Sequence, residues 1–290
     1  MVPFLRRVTA LCKPRIVALL VVTGAAGAWK QAEAAPDGLV LLTVIVAGAL
    51  AAGGANAINQ SLDADIDTVM RRTRVRPVPS EQMSARSAAL IGVALVVVAT
   101  MLMGVGANPL AALLTAVAAA VYVLVYTMLL KRRSWNNIVI GGAAGAFPPM
   151  IGAAAVAGEV TAVALYMFAF VFFWTPPHFW TLSMLLREDY AAANVPMLAA
   201  VAERRDTARQ VLLYVALLAA MAWLPLAAGY GGLTFGVVTT LLSVVWLRLS
   251  WPLLRGGSTE ETLAAYKYSL LYLALVFLTL AVEPMLPWYA

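Results

Sequence analysis

Nine long apolar runs constrain this 290-residue chain more than any other feature of its sequence. They lie near residues 14–30, 38–58, 86–105, 108–129, 137–157, 160–183, 208–229, 233–250 and 264–282. A helix that crosses a bilayer needs about 20 apolar residues, so nine such helices would use roughly 180 residues and leave only loops. We therefore predict an all-α polytopic membrane protein, a single domain over residues 1–290 with about nine transmembrane helices in the lipid bilayer.

The composition agrees with a membrane protein and excludes several other classes. The chain is 63% hydrophobic and only 12% charged, whereas soluble domains carry about 25% charged residues. The apolar runs do not alternate with polar residues, as the strands of a membrane barrel would. The single cysteine, Cys12, excludes an internal disulfide. The net charge of +6 could suggest nucleic acid, but in a membrane chain the positions of the cations matter more, and we expect no nucleic-acid partner.

The cations are distributed unequally between the two sides of the predicted membrane. Of the 20 Lys and Arg residues, 19 fall in the N-terminal segment and in every second loop, and only Lys30 falls on the other side. Glu33, Asp37, Glu159 and Glu283 share the side of Lys30. Loops rich in Lys and Arg face the cytoplasm, so we expect the N-terminus inside and the C-terminus on the outer side. No signal or import presequence is evident, which favours a bacterial inner membrane.

The acidic residues are few, and five of the 14 gather where the second and sixth runs end. These five are Asp63, Asp65, Asp67, Glu188 and Asp189. Asn59, Asp63 and Asp67 are four residues apart, so one helix face would present an amide and two carboxylates, with Asp65 pointing away. Oxygen ligands of this kind suit Mg²⁺, which commonly binds through one or two carboxylates together with substrate phosphates.

Basic side chains accompany the first acidic segment. Arg71, Arg72, Arg74 and Arg76 follow it, and a second basic cluster at 131–133 ends the fourth run on the same side. Cations beside a metal-binding group are what a diphosphate requires. A simpler interpretation stays open, because an acidic helix end is often a solvated boundary and arginine clusters often serve only to orient the chain.

His178, the only histidine, lies in the aromatic segment 174–180 of the sixth run. Pro176 and Pro177 interrupt the helical hydrogen bonds there, and broken membrane helices occur where backbone is buried or lines a cavity. The imidazole could bind a metal, move a proton or bond a carbonyl group that the prolines free. We favour the last, since one imidazole cannot build a metal site alone. The aromatic residues before it could line an isoprenoid pocket or simply pack against lipid and core.

These and other segments resemble the UbiA superfamily of intramembrane prenyltransferases over almost the whole chain, and within it the branch that acts on heme. The resemblance rests on KPR (13–15), NAINQSLDADID (56–67), MRRT (70–73), YTMLLKRR (126–133), NIVIGGAAGAFPP (137–149), TPPHFW (175–180), DY (189–190) and VPML (195–198). It implies a nine-helix bundle around a central cavity, with the 2–3 and 6–7 loops closing over Mg²⁺ and diphosphate.

The resemblance also implies particular site residues. Asn59, Asp63, Asp67 and Asp189 would be catalytic and would hold Mg²⁺, with Glu188 as a further candidate ligand. The implied substrate-binding residues are Arg71, Arg74, Lys131, Lys13, Arg15, Tyr126, Tyr190 and His178. Two positions depart from the superfamily pattern. Ala193 replaces the second aspartate expected four residues after Asp189, with Tyr190 close to its place, and a Tyr-x3-Lys element is lengthened to Tyr126-x4-Lys131.

The implied reaction transfers farnesyl from farnesyl diphosphate to the 2-vinyl group of heme B, with addition of water, giving heme O and diphosphate. Heme B would be a substrate rather than a permanent cofactor, and a heme A synthase that uses the product is a candidate partner. Two alternatives remain open. One is prenylation of an aromatic quinone precursor, and the other is secondary transport, although the acids lie at helix ends rather than at the midplane where transporters bind ions.

Overall fold

The computed structural model describes residues 4–32 and 35–285, and these residues form helices and connecting segments without any β-strand. Glu33 and the chain after residue 285 lie outside the described residues. The helices are α1 (Phe4–Cys12), α2 (Pro14–Gln31), α3 (Gly38–Leu62), α4 (Ala64–Val69), α5 (Ala85–Gly106), α6 (Pro109–Ala120) with a π-helix (Val121–Leu130), α7 (Asn137–Gly141), α8 (Ala143–Ala157), α9 (Ala162–Leu185), α10 (Arg187–Ala192), α11 (Leu198–Val201), α12 (Arg204–Met221), α13 (Leu224–Ala227), α14 (Leu233–Ser250) with a 3₁₀ turn (Trp251–Arg255), and α15 (Thr259–Val282) with a second 3₁₀ turn (Glu283–Met285).

Eight segments of the described chain are long and apolar enough to cross a membrane. They are Gly38–Leu62, Ala85–Gly106, Pro109–Leu130, Asn137–Ala157, Ala162–Leu185, Arg204–Ala227, Leu233–Arg255 and Thr259–Met285. A ninth is obtained when α1 and α2, which meet at 54°, count as one broken span. The predicted all-α architecture of about nine spans is confirmed, with the correction that the first predicted run needs α1 as well as α2.

The loops that carry the cations meet at one end of the bundle, which we call the basic end. Arg7 Nη1 donates to the Gln82 carbonyl at 2.6 Å and joins the N-terminal helix to the α4–α5 segment. Arg132 pairs with Asp65 across two further loops. Arg71 forms an ion pair with Glu188, and Arg204 donates a hydrogen bond to the Gly257 carbonyl, so these contacts connect the remaining loops. The predicted alternation of loops is therefore confirmed, whereas the assignment of this end to the cytoplasm stays a prediction.

Small residues allow the helices of the bundle to approach closely. A Cβ atom added at Gly92 of α5 would lie 2.6 Å from the Gly54 carbonyl oxygen of α3. A Cβ atom at Gly27 of α2 would overlap the Pro149 carbonyl of α8. Membrane helices use such positions to bring backbones into contact. Around them α9 packs against α2, α8, α12 and α15, so its end near residue 178 lies among several helices.

Candidate active site

The first acidic segment is divided between two helices. Asp63 lies at the break between α3 and α4, with φ −97° and ψ 13°. The one-turn hydrogen bonds continue across it, because Asp63 N–H donates to the Asn59 carbonyl at 2.9 Å and Asp67 N–H donates to the Asp63 carbonyl at 2.8 Å. The three residues therefore keep their predicted four-residue spacing across a break between two helices that the sequence did not predict. All three side chains are buried.

Asp63 and Asn59 are held in a network that is contributed by three parts of the chain. Asn59 Nδ2 donates to Asp63 Oδ2 at 2.6 Å, and Asn59 Oδ1 accepts from Lys13 Nζ at 3.2 Å. Lys131 Nζ pairs with the same Asp63 Oδ2. The other oxygen, Asp63 Oδ1, is buried without a hydrogen-bond donor, and Arg132 Nη2 lies 3.7 Å from it. Two predicted substrate-binding lysines thus meet the predicted metal ligands.

Lys13 reaches this network through an unusual backbone conformation. Its φ of 52° and ψ of 62° are left-handed, although the residue is neither glycine nor asparagine. The conformation lies at the bend between α1 and α2 and directs the chain into α2 at Pro14. Strained residues of this kind are found at functional sites, where the surroundings hold them. Arg15, also predicted to bind substrate, is exposed on the first turn of α2.

Asp67 pairs with a cation that the sequence did not single out. Arg76 Nη1 lies 2.6 Å from Asp67 Oδ2, and the Thr73 hydroxyl donates to the Asp67 carbonyl at 3.0 Å. Arg74, which was predicted to bind substrate, is exposed. The four arginines could not be ranked from sequence because their roles depend on how the segment after α4 folds back.

Asp65 points away from the other acids, as predicted. Its two oxygens accept from Arg132 Nη1 and Nη2, both at 2.7 Å, and its side chain is largely exposed. Hydrogen bonding to this guanidinium holds the pKa of Asp65 below its usual value and raises the pKa of Arg132. Asp65 therefore joins the loop after the π-helix to α4 rather than facing the buried site.

The second acidic segment lies against the first through Arg71. Arg71 Nη2 is 2.9 Å from Glu188 Oε2, and Arg71 Nε is 3.8 Å from Asp189 Oδ1. The Glu188 side chain is 85% exposed and that of Asp189 only 12%, so Asp189 is the better placed for a buried site. Arg71 thus links the loop after the first acidic segment to the second acidic segment, two loops that the resemblance implied would close over one site.

Tyr190 follows Asp189 and is buried in an apolar cluster beneath the same loops. The cluster consists of Ile66, Met70, Tyr190, Val195 and Met197. Burial raises the pKa of the Tyr190 phenol, and the positive charge of the nearby Arg72 guanidinium acts in the opposite direction. Arg72, like Arg76, was noted among the four arginines but was not one of the predicted substrate-binding residues.

The π-helix accounts for the lengthened Tyr126-x4-Lys131 element. Lys131 N–H donates to the Tyr126 carbonyl at 2.8 Å, five residues back, and the Thr127 hydroxyl donates to the Tyr122 carbonyl at 2.9 Å. A five-residue spacing in a π-helix spans about one turn, as a four-residue spacing does in an α-helix. The extra residue is therefore absorbed, and Lys131 arrives at Asp63 while Thr127 Oγ1 lies 3.2 Å from Asn59 Nδ2.

His178 has a different partner from the one we favoured. Its Nδ1 lies 2.6 Å from Ser269 Oγ of α15, so the expected bond to a carbonyl freed by the prolines is wrong. The imidazole stacks on Trp174 at 4.4 Å and on Tyr266 at 5.1 Å. Helix α9 continues through Pro176 and Pro177, both of which are buried.

The side-chain oxygens of Asn59, Asp63 and Asp67 are of the type that binds Mg²⁺, although each lies beside a cationic side chain in this structure. Within residues 4–32 and 35–285 no three His, Cys, Asp or Glu side chains form a cluster that could hold a metal. The Asn59 amide and the Asp63 and Asp67 carboxylates are nevertheless the hard ligands that Mg²⁺ prefers. The buried Asp63 Oδ1, which lacks a hydrogen-bond donor, is an open ligand position among them.

Comparison with known proteins places this arrangement in a family. Residues 20–283 match the UbiA prenyltransferase family, and the chain belongs to that family. Its fold is similar to that of a digeranylgeranylglyceryl phosphate synthase, with a TM-score of 0.78 and 17% identity over 97% of this chain and 98% of the other. A UbiA homolog from Archaeoglobus fulgidus, bound to DMAPP and Mg²⁺, superposes with a TM-score of 0.69 at 15% identity over 95% and 99% of the two chains.

More similar relatives carry a specific name. The chain is 46% identical to a protoheme IX farnesyltransferase of Thermus thermophilus over 94% of its own length and 45% of that protein. It is 45% identical to a protoheme IX farnesyltransferase of Granulibacter bethesdensis over 94% of its own length and 89% of that protein. The chain thus spans less than half of the first relative and most of the second.

Proposed function

We propose that this chain transfers a farnesyl group from farnesyl diphosphate to the 2-vinyl group of heme B. The observation that carries the proposal is a buried set of potential metal-binding oxygens at the basic end, each beside a cationic side chain. Lys13 lies beside Asn59, Lys131 beside Asp63, and Arg76 beside Asp67. Buried charges are costly unless they are paired, and such pairs are weak evidence for stability. The named relatives support a catalytic use instead.

The chain's own groups would bind and polarise the diphosphate. Lys131, Arg71 and Arg74, with Lys13 and Arg76 beside them, would stabilise the negative charge that develops as diphosphate leaves. Asn59, Asp63, Asp67 and Asp189, with Glu188 as a further candidate, would hold Mg²⁺. Bound there, the metal would supply charge neutralisation without proton transfer. Tyr126, stacked on Tyr122, and Tyr190 would close the apolar side of the site.

The reaction would break the carbon–oxygen bond of the allylic diphosphate and form a carbon–carbon bond to the vinyl group. The vinyl carbon supplies the electron pair, and the cation that remains is captured by water, which loses a proton and leaves a hydroxyl group. The products are heme O and diphosphate. Apolar surroundings protect the first cation from premature hydrolysis, and the aromatic residues of α9, among them Phe168 and Phe172, offer such surroundings.

A panel of acceptors tests the proposal. Purified protein in detergent is incubated with Mg²⁺, farnesyl diphosphate and either heme B or an aromatic quinone precursor, and diphosphate release and product mass are followed. We expect a farnesylated heme and no farnesylated aromatic. Product formed only with the aromatic acceptor would favour prenylation of an aromatic quinone precursor. The absence of diphosphate release with every acceptor would favour secondary transport.

We also propose a bacterial inner membrane as the location, with the basic end and the N-terminus cytoplasmic and the C-terminus outside. The excess of Lys and Arg at the basic end supports this orientation, and the named relatives are bacterial. A heme A synthase that accepts the product is the proposed partner. Reporter fusions after residues 84 and 285 should report opposite sides, and a shared side would contradict the topology.

A further inference from the structure

The imidazole of His178 is held by one hydrogen bond, at Nδ1, and by stacking against two aromatic rings. Trp174 stacks on it with an interplanar angle of 15° and Tyr266 with an angle of 27°. The Trp174 indole N–H donates to the Ser269 carbonyl at 3.0 Å, so the stacking partner is itself held by α15. The ring therefore has little freedom to rotate, and its orientation is set jointly by α9 and α15.

The hydrogen bonds of Ser269 determine which ring nitrogen carries the proton. The Ser269 hydroxyl donates to the Tyr266 carbonyl at 2.6 Å. A hydroxyl has one proton to donate, so its oxygen must accept in the 2.6 Å contact with His178 Nδ1. In this arrangement Nδ1 bears the hydrogen, and Nε2 keeps its lone pair.

Nε2 has no competing partner in the part of the chain that the structure describes. No hydrogen bond to it is formed there, and it is not among the buried polar atoms that lack a partner. His178 is accordingly only partly buried, and Nε2 is on its open edge. A histidine whose N–H is tied to a hydrogen-bond acceptor and whose other nitrogen is free has the arrangement typical of a metal ligand.

His178 lies near the loops that carry the proposed diphosphate site. Arg72 is near enough to act electrostatically on both Tyr190 and Tyr266, and Tyr266 is one of the two rings stacked on His178. Phe179, the next residue of α9, packs against the cluster that contains Tyr190 and Ile66. A group bound to Nε2 would thus lie close to the loops that carry the acids.

We propose that His178 Nε2 ligates the iron of the heme acceptor and that Ser269 is the positioning residue that presents it. The proposal rests on the proposed function, because it names the atom that would hold that acceptor. Neutral imidazole is a usual axial ligand of heme iron. An axial ligand holds the porphyrin at its centre and leaves the vinyl groups at its edge free to meet the farnesyl cation.

Because His178 is the only histidine, spectroscopy on the full chain gives an unambiguous test, provided that the purification tag contains no histidine. Ferric heme B is added to protein labelled with ¹⁵N-histidine in detergent. We expect an absorption and EPR spectrum of histidine-ligated iron with hyperfine coupling to the label. This measurement needs no variant, so it does not depend on whether a substituted protein folds.

Variants separate ligation from packing. H178F keeps an aromatic ring in contact with Trp174 and Tyr266 but removes the ligand nitrogen, so it should lose the signature. Ser269→Ala should weaken iron binding by about 10–100-fold, as loss of a supporting hydrogen bond does at other metal sites. Metal-free protoporphyrin IX should bind all three proteins alike, because it has no iron to ligate.

The outcomes distinguish this inference from the proposed function. Bound heme without ¹⁵N coupling, or an unchanged ferric spectrum in H178F, would overturn the inference alone. A histidine-ligated heme that is never farnesylated would overturn the proposed function and leave the ligand assignment standing. Failure of the wild-type chain to bind heme B at any concentration would overturn both.

Discussion

At the scale of single residues, the site consists of buried acids that already have cationic partners. Asp63 and Asp67 are each 1% exposed and pair with Lys131 and Arg76. The sequence predicted the acids because their spacing is local. It could not select Arg76 among four neighbouring arginines, since that choice depends on how the segment after α4 turns back, and it could not link His178 to Ser269, 91 residues away.

Substitution of the buried acids is expected to abolish most of the activity. Asp63→Asn and Asp67→Asn remove a carboxylate charge that the site would use for metal binding, and each should lower kcat by about 100-fold or more, as loss of other preorganised electrostatic groups does. Asp65→Asn, on the exposed side of the same segment, is the matched control and should stay within a few-fold of wild type. Near-normal turnover of both buried variants, in folded protein with Mg²⁺ present, would refute the metal-site assignment.

The Asp65–Arg132 pair should give a small, pH-dependent contribution to stability. Because the pKa of Asp65 is lowered in the folded state, this contribution is present above the unfolded pKa near 3.9 and is lost as the pH falls through the folded value. The pair is exposed, so we expect less than about 1 kcal/mol. The Tm difference between wild type and Asp65→Asn should be measurable at pH 7 and decrease steadily as the pH falls below about 4, and a difference that does not decrease in acid would contradict this origin.

At the scale of helical elements, the break at Asp63 and the π-helix shape the site. Neither was predicted, because a sequence pattern gives the period of a helix but not the one-residue changes in its hydrogen bonding. The lengthened Tyr126-x4-Lys131 element was the only visible signal for the π-helix. Because the π-helix has i to i−5 hydrogen bonds, the extra residue between Tyr126 and Lys131 does not move Lys131 away from Asp63.

Deletion of one residue tests the π-helix directly. Removal of Leu129, which is half exposed, would leave Tyr126 and Lys131 four residues apart and allow an α-helix, so activity should remain within about tenfold of wild type. Removal of Leu113, which is also exposed, from the α-helical part of the same span is the control. It rotates every residue between it and the π-helix and should abolish activity. Loss of activity in the Leu129 deletion alone would show that the π-helix is needed for more than spacing.

Glu283 was predicted only as an acid on the outer face, but it caps a helix. Its buried carboxylate accepts from Gly232 N–H at 2.9 Å and from Phe235 N–H at 2.7 Å, at the start of α14. Glu283→Ala leaves these donors without the carboxylate and should lower stability by about 1–3 kcal/mol. Glu283→Gln, which keeps one acceptor oxygen, should lose less. Thermal unfolding in detergent measures both, and equal Tm values for Ala and wild type would contradict the cap.

At the scale of the whole molecule, the positions of apolar and basic residues were sufficient to predict the architecture. Long apolar runs specify membrane helices because unpaired backbone groups cannot lie in lipid, and the alternation of cations correctly predicted which loops meet. The sequence could not predict the packing that joins α9 to α15 around His178, because such contacts depend on interdigitating side chains rather than on period or charge. The cations that first indicated orientation also surround the proposed diphosphate site.

In the proposed reaction, farnesyl is joined to a heme vinyl group and water supplies the hydroxyl group of the product. The most direct test is the mass of the heme recovered after incubation of the purified chain with farnesyl diphosphate, heme B and Mg²⁺ in H₂¹⁸O. We expect a hydroxyethylfarnesyl heme that carries one ¹⁸O atom and disappears when Mg²⁺ is chelated. Recovery of unmodified heme together with ¹⁸O-labelled farnesol would contradict it.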